Sequence, residues 1–335
     1  MPRITLKGRS PWIALIATLA CVTGIWGPFP IHAQDQERYE HPAFEHSVPE
    51  LIDPESDNPF LRYERGAGNK YHPFADYTGA HGIYGDEIAL DYFGFRNDAD
   101  LYFDEERDYT LIVITGGSEM AGFSHRITVA EHLERILNEQ GDRRFKVLNL
   151  GINSYCLPQE ISTYVHFAYH LKPEIVISHT AWNDFIYARL APLNFKKLGL
   201  SYPSHLEMWI PRIYGERPPG EAGRDTRGEG FSIIVDRFLR KLDDYRRIVG
   251  SNGGKLIVGI QGYDPIRAVE DPFSRTVPDL YEELKQKVKF GLGLHDFTGI
   301  DEITFGDAVH STEKASRVIA EIYARLVTDA LKTDE

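Results

Sequence analysis

The chain has 335 residues, 42% of them hydrophobic, and carries a formal net charge of −13. That length and apolar content build one large or two modest cores and exclude general disorder. The acidic balance excludes nucleic acid and anionic membrane surfaces as partners. Of the two cysteines, Cys21 lies in the N-terminal segment and Cys156 in the body, so packing rather than an internal disulfide must hold the fold. Cys156, a single thiol before Leu157 and Pro158, reads as a small buried hydrophobe.

The N-terminus has the three-part form of a secretory signal. Arg3, Lys7 and Arg9 precede an apolar stretch from Trp12 to Trp26, and Ala33 follows as a cleavage-type small residue. Residues 1–33 contain no acid, so their removal takes the remainder to −16. Thr18, Thr23 and Gly24 interrupt the apolar stretch and Pro28 and Pro30 end it, which is short for a membrane span. The segment is therefore a signal peptide or an N-terminal anchor, and a secreted or periplasmic, cell-envelope location is expected. Leu19-Ala20-Cys21 has the outline of a bacterial lipoprotein signal, with Thr18 at the position where an aliphatic residue belongs.

Residues 34–106 are rich in Tyr, His, Pro, Asp and Gly and show little sustained periodicity, so they read as an irregular N-terminal strap. Within them, Tyr92 to Asp98 combines aromatic anchors, a turn glycine and a charged end, as expected of a segment docking on the core. From residue 107 onward strand-like and helix-like stretches alternate. Strands are predicted at 111–115, 145–150, 174–180 and 255–261, and helices at 127–140, 158–171, 277–290 and 311–331. The stretch after 174–180 is less regular. Such alternation predicts an α/β fold, a three-layer α/β/α sandwich with a central parallel sheet, over residues 107–335. A loop insertion at about 193–230, with Pro203, Pro211, Pro218 and Pro219, reads as a lid, a substrate-contacting excursion or plain surface.

The chemistry gathers at strand ends. Leu111-Ile112-Val113-Ile114 reads as a buried parallel strand; it breaks at Gly116-Gly117 and delivers the hydroxyl of Ser118. Gly151 follows the second strand, with Asn149 and Asn153 beside it, and Asn183-Asp184 follows the third. If these strands are neighbours, the three ends share one rim. Acyl transfer needs such a set: a serine attacking an ester builds negative charge on oxygen that fixed N–H donors must meet. The Ser118 and Gly151 backbone and the Asn183 amide are the candidate donors. The serine also needs a base. Of thirteen histidines, His310 is best placed, in Asp307-Ala308-Val309-His310 before the terminal helix, with Asp307 to orient it. His166 and His170 lack the His-Glu-x-x-His pattern and read as ordinary helix residues, so no metal is expected. Trp182 and Tyr155 either line the site or pack in the core.

Taken together, Gly116-Gly117-Ser118-Glu119-Met120-Ala121-Gly122, Asn149-Leu150-Gly151, Ala181-Trp182-Asn183-Asp184 and Asp307-Ala308-Val309-His310 resemble the four ordered blocks of the SGNH (GDSL-type) hydrolase superfamily. Gly94-Phe95-Arg96 is similar to a segment often found just upstream in bacterial members. The resemblance implies an SGNH-hydrolase, flavodoxin-like fold, Ser118 as nucleophile, His310 as general base and acid, Asp307 as its orienter, and Gly151 and Asn183 as oxyanion donors. It implies no cofactor. Two positions depart from the family pattern: Gly117 stands where an Asp is usual, and Ala181 where a Gly is usual. The expected activity is serine-type hydrolysis of short-chain acyl esters, acetyl above all, of carbohydrates or small molecules. The alternatives are O-acyl transfer to an extracellular polysaccharide and non-catalytic glycan binding.

Overall fold

The computed structural model describes residues 69–72, 76–79, 82–84, 88–91, 93–97, 99–102, 107–122, 125–141, 143–190, 230–270, 274–288 and 294–332. All of them fall in one compact unit. The expected signal or anchor at 1–33 and nearly all of the insertion at 193–230 lie outside the described residues. Among the described residues, no helix is long and apolar enough to cross a membrane.

Two short antiparallel hairpins lead in, β1 (Asn69–His72) with β2 (Asp76–Gly79) and β3 (Gly82–Tyr84) with β4 (Ile88–Leu90). This region was expected to be irregular; its strands are three or four residues long, too short for a period-2 pattern to show. The body is a five-stranded sheet, every adjacent pair parallel, in the order β6-β5-β7-β8-β9, where β5 is Thr110–Gly116, β6 Phe145–Asn149, β7 Ile175–Thr180, β8 Lys255–Ile260 and β9 Leu294–Asp296. Among these five the order in chain sequence is 2-1-3-4-5, the doubly wound order in which ligands sit beyond the carboxyl ends where strand order reverses. That point lies between β5 and β7.

Both faces of the sheet are covered, which is why β5 is buried throughout and reads as an unbroken apolar run. Ile112 and Ile114 point one way, with Ile175, Ile177 and Ile257, into a core shared with α2 (Val129–Glu139) and α8 (Glu313–Lys332). Leu111, Val113, Val176 and Val258 point the other way, against α3 (Leu157–Thr163), α5 (Phe231–Ser251) and α7 (Val277–Lys287). Among the described residues the other α-helices are short: α1 (Ser118–Ala121), α4 (Trp182–Leu190) and α6 (Pro265–Glu270). The three-layer sandwich expected from the sequence is therefore the architecture found.

Helix α2 starts at a reciprocal capping box, with Thr128 Oγ1 accepting the Glu131 N–H and Glu131 accepting the Thr128 N–H. The 158–171 helix is α3 continued by a π-helical turn (Tyr164–Ala168) and a 3₁₀ turn (Tyr169–Leu171). Helix α5 falls in the stretch described above as less regular. Its buried Ile234, Val235, Phe238, Leu242, Tyr245 and Val249 do recur at helical spacing. The charged pairs between them, such as Asp243-Asp244 and Arg246-Arg247, blur the pattern.

Candidate active site

Strand β5 ends at Gly116, and Ser118 is the first residue of α1. The Ser118 N–H thus has no acceptor within its own helix. Ser118 Oγ lies 2.8 Å from His310 Nε2, and His310 Nδ1 lies 2.6 Å from Asp307 Oδ2. Burial pushes the Asp307 carboxyl up. The hydrogen bond and charge of His310, with the Val309 and His310 N–H groups on Oδ1 at 2.8 Å each, outweigh it and hold the pKa at about 2. Asp307 is therefore an acceptor only, which puts the imidazole proton on Nδ1 and turns the Nε2 lone pair toward Ser118. The three residues that the sequence singled out as nucleophile, base and orienter, two of them 192 positions apart, stand in one hydrogen-bonded line.

The loop bearing His310 is tightly held. The Gly306 N–H donates to the His310 carbonyl at 2.8 Å, and Phe305 pairs with Ser311. From α6, Arg267 donates to the Phe305 and Gly306 carbonyls, and just before it the Asp264 N–H donates to the Ala308 carbonyl at 2.9 Å. Sequence reading gave no role to α6, because its clamps fall on backbone carbonyls, which have no side-chain signature.

The oxyanion side differs from expectation. The Gly151 N–H donates to Asn149 Oδ1 at 2.9 Å, so it is not the open donor that the sequence predicted. Asn149 Nδ2 donates to the Met120 carbonyl at 2.8 Å, tying this turn to α1. Glycine is required at 151 for a packing reason instead: a Cβ there would lie 2.6 Å from the Ala121 nitrogen. Asn183 does sit beside Gly117 and Ser118. Its Nδ2 donates to the Tyr155 carbonyl at 3.0 Å and carries a second hydrogen beyond that bond.

Both departures from the family pattern have physical counterparts. A Cβ on residue 117 would lie 2.5 Å from Asn183 Nδ2, so Gly117 is what lets this amide rest against the backbone preceding Ser118. Ala181 has φ +93°, a conformation that glycine adopts without strain and alanine does not.

Asp184, next to Asn183, turns inward, where it accepts the Leu157 N–H and the Thr180 hydroxyl. Burial raises its pKa to about 6, and the charge of Lys241 opposes that shift. Glu160, also fully buried, accepts hydroxyls from Thr115 (2.9 Å) and Ser178 (2.6 Å). Burial raises it to about 7, with hydrogen bonds lowering it and Asp184 adding to the rise. The sequence gives no role to Glu160 and none to Asp184 beyond its place in the third block, since nothing local distinguishes a buried acid from a surface one.

The strap reaches the site from outside. Phe95 is fully buried against Phe167, and Arg96 donates to the carbonyls of Gly122 and His125 and to that of Arg126, in the loop that follows α1. The Asn97 side chain pairs with both the N–H and the carbonyl of Asn149, at 2.6 Å each. Beside Asp307 a cavity of about 410 Å³ is lined by Trp182, Ile186, Arg267, Asp307, Ala308 and Val309. The Trp182 ring packs at 5.6 Å on Tyr263. His166 and His170 are exposed.

Solved lipases, acylhydrolases and esterases are similar to this chain. A lipase/acylhydrolase from Enterococcus faecalis is 18% identical, over 65% of this chain and 95% of that one, with a TM-score of 0.42. A catalytic mutant of an acetylxylan esterase from Geobacillus stearothermophilus is 14% identical, over 66% and 95%, with a TM-score of 0.42. A GDSL-like lipase from Bacteroides thetaiotaomicron is 12% identical, over 68% and 89%, with a TM-score of 0.38. No protein-family model matches the chain, and no curated protein matches its sequence.

Proposed function

We propose that this protein is an exported serine-type esterase of the SGNH class that removes short acyl groups from a carbohydrate or another small alcohol. The observation that carries the reading is the line Ser118 Oγ, His310 Nε2, His310 Nδ1 and Asp307 Oδ2, with steps of 2.8 and 2.6 Å, at the carboxyl edge of a parallel sheet. In this reading Ser118 Oγ attacks the ester carbonyl as its proton passes to His310 Nε2. The oxyanion is met by the Ser118 N–H and the second hydrogen of Asn183 Nδ2, with Gly151 contributing only by sharing its hydrogen with Asn149. The Nε2 proton then goes to the leaving alcohol oxygen, and water, deprotonated by the same nitrogen, releases the acid. Asp307 stays ionised and steadies the imidazolium. The Trp182 cavity is large enough for a small alcohol or a monosaccharide-sized group, and its apolar wall suits the face of a sugar ring. The export signal assigned to residues 1–33 belongs to the proposal.

The test is hydrolysis of p-nitrophenyl acetate and fluorophosphonate labelling of the wild type and Ser118→Ala. The variant is expected to lose at least about 10³-fold in kcat/KM, with its circular dichroism unchanged and no label. A folded Ser118→Ala variant that still turns over the ester refutes the nucleophile. Addition of acetylated and free xylo-oligosaccharides separates hydrolysis, which yields free acetate, from transfer, which yields newly acylated sugar.

A further inference from the structure

The residue after the nucleophile and the residue after the base also meet. Glu119 and Ser311 are both buried. Glu119 Oε2 accepts the Ser311 N–H at 2.9 Å, and Oε1 accepts the Ser311 hydroxyl. Ser118 with His310 and Glu119 with Ser311 therefore form two consecutive rungs between segments 192 residues apart in the chain. The stitching continues outward. His125 Nε2 donates to the Ser311 carbonyl at 2.8 Å, and the Glu313 carboxylate accepts the Arg126 and Ile127 N–H groups at 2.8 and 3.2 Å. Arg96 in turn holds the His125 carbonyl.

We propose that Glu119 is a positioning residue: by gripping Ser311 with both carboxylate oxygens it sets His310 Nε2 at hydrogen-bond distance from Ser118 Oγ. The proposal rests on the reading of Ser118, His310 and Asp307 as the catalytic line. Beside the Phe305 pairing and the His125 bond to the Ser311 carbonyl, the two bonds from Glu119 fix the Ser311 side chain and its N–H together, and with them both position and orientation. The imidazole is only one residue away, so a rotation at Ser311 swings its ring directly. Because Glu119 is the second residue of α1, the same short helix that presents the nucleophile also sets its distance to the base. An apolar residue at 119 would fill the space but strand the buried Ser311 N–H. Glutamine is the instructive substitute: its carbonyl accepts the N–H and its NH₂ donates to the serine oxygen, which keeps two points of contact without the charge.

The experiment compares Glu119→Ala, Glu119→Gln and Ser311→Ala with the wild type in the full-length protein, measuring kcat and KM for p-nitrophenyl acetate and the rate of fluorophosphonate labelling. Glu119→Ala is expected to lower kcat and the labelling rate together by about 10–100-fold, with KM within about twofold, as misplacement of a catalytic group does. Glu119→Gln is expected to recover to within about fivefold of wild type, and Ser311→Ala to lose about three- to tenfold. The proposal is overturned if folded Glu119→Ala labels at the wild-type rate, or if Glu119→Gln is as slow as Glu119→Ala, which would make charge rather than grip the cause. Should Glu119→Ala fail to fold, Ser311→Ala decides: labelling at the wild-type rate there overturns the proposal as well. Ser118→Ala run in parallel separates the two levels. An inactive Ser118→Ala beside a fully active Glu119→Ala leaves the triad standing and removes the grip, whereas an active Ser118→Ala removes both.

Discussion

The two arms of the proposed site, Ser118 with His310 and Asp307 on one side and the proposed oxyanion donors on the other, are built on different terms. On the first arm each functional hydrogen bond already exists: Ser118 to His310 and His310 to Asp307, with the loop pinned by α6 and by its own Gly306–His310 bond. On the second arm two of the three donors are engaged internally, Gly151 with Asn149 and Asn183 with Tyr155. The difference follows from what each arm meets. A base and its orienter are useful only if aligned before reaction, whereas the charge that an oxyanion hole serves arises during it. Buried donors in the resting protein still need acceptors, and nearby carbonyl oxygens supply them.

Four changes would break or sharpen this contrast, given from the largest effect to the smallest. Asn183→Ala removes the one side-chain donor of the second arm. It should lower kcat about 10²-fold while leaving the Ser118–His310 line in place, so fluorophosphonate labelling should fall less than ester turnover. Gly117→Ala places a Cβ where Asn183 Nδ2 now lies. Its expected cost is about tenfold in kcat, a partial version of losing Asn183, and a crystal structure should show the amide displaced. If kcat is unchanged, Asn183 does not act from its present position.

Glu160 tests the floor beneath both arms. With its pKa raised from 4.5 to about 7, the folded protein holds a proton that the unfolded chain releases. Stability should therefore fall as pH rises from about 4.5 to 7 and stay at the lower level above that. Glu160→Gln abolishes this dependence, so relative to wild type it should gain roughly 1–3 kcal/mol at pH 8 and little at pH 4, read from denaturant melts at both pH values. An equal effect at the two pH values would show that Glu160 titrates normally. Ala181→Gly is the smallest change. Relief of the strain at φ +93° is worth about 1–2 kcal/mol and offsets the lost methyl group and the added chain entropy, so stability should stay within roughly 0.5 kcal/mol of wild type. A loss well above 1 kcal/mol would mean that the methyl group packs more than the strain costs.

The arms also differ in how far they could be read from sequence. Asp307-Ala308-Val309-His310 carries its orienter–base relation within four residues, a separation that one loop closes by itself. Ser118 after a β-branched run and two glycines is local in the same way. Gly151 is ambiguous in the sequence because a glycine serves two purposes: close backbone approach to a substrate and close approach to α1. Only the folded chain brings the Ala121 nitrogen into that space. Gly117 looked like a lost acid and proves to be room for Asn183. Glu119 and Asp184 stand inside the motif blocks without a role of their own and Glu160 outside them, because an acid in a sequence carries no mark of burial. Each gained its role from partners 192, 45 and 27 residues away.

By itself the sequence determined the layered α/β architecture, since strands buried on both faces must be apolar throughout and helices between them must carry one apolar stripe. It also determined which hydroxyl, imidazole and carboxylate end up on the sheet's carboxyl edge, because strand ends and short loops are local features. Tertiary structure alone decided which donors are open and which are occupied, where a glycine is needed for packing rather than for turning, and which acids are buried. Those properties depend on distances between segments far apart in the chain, and no local pattern of residues encodes such a distance.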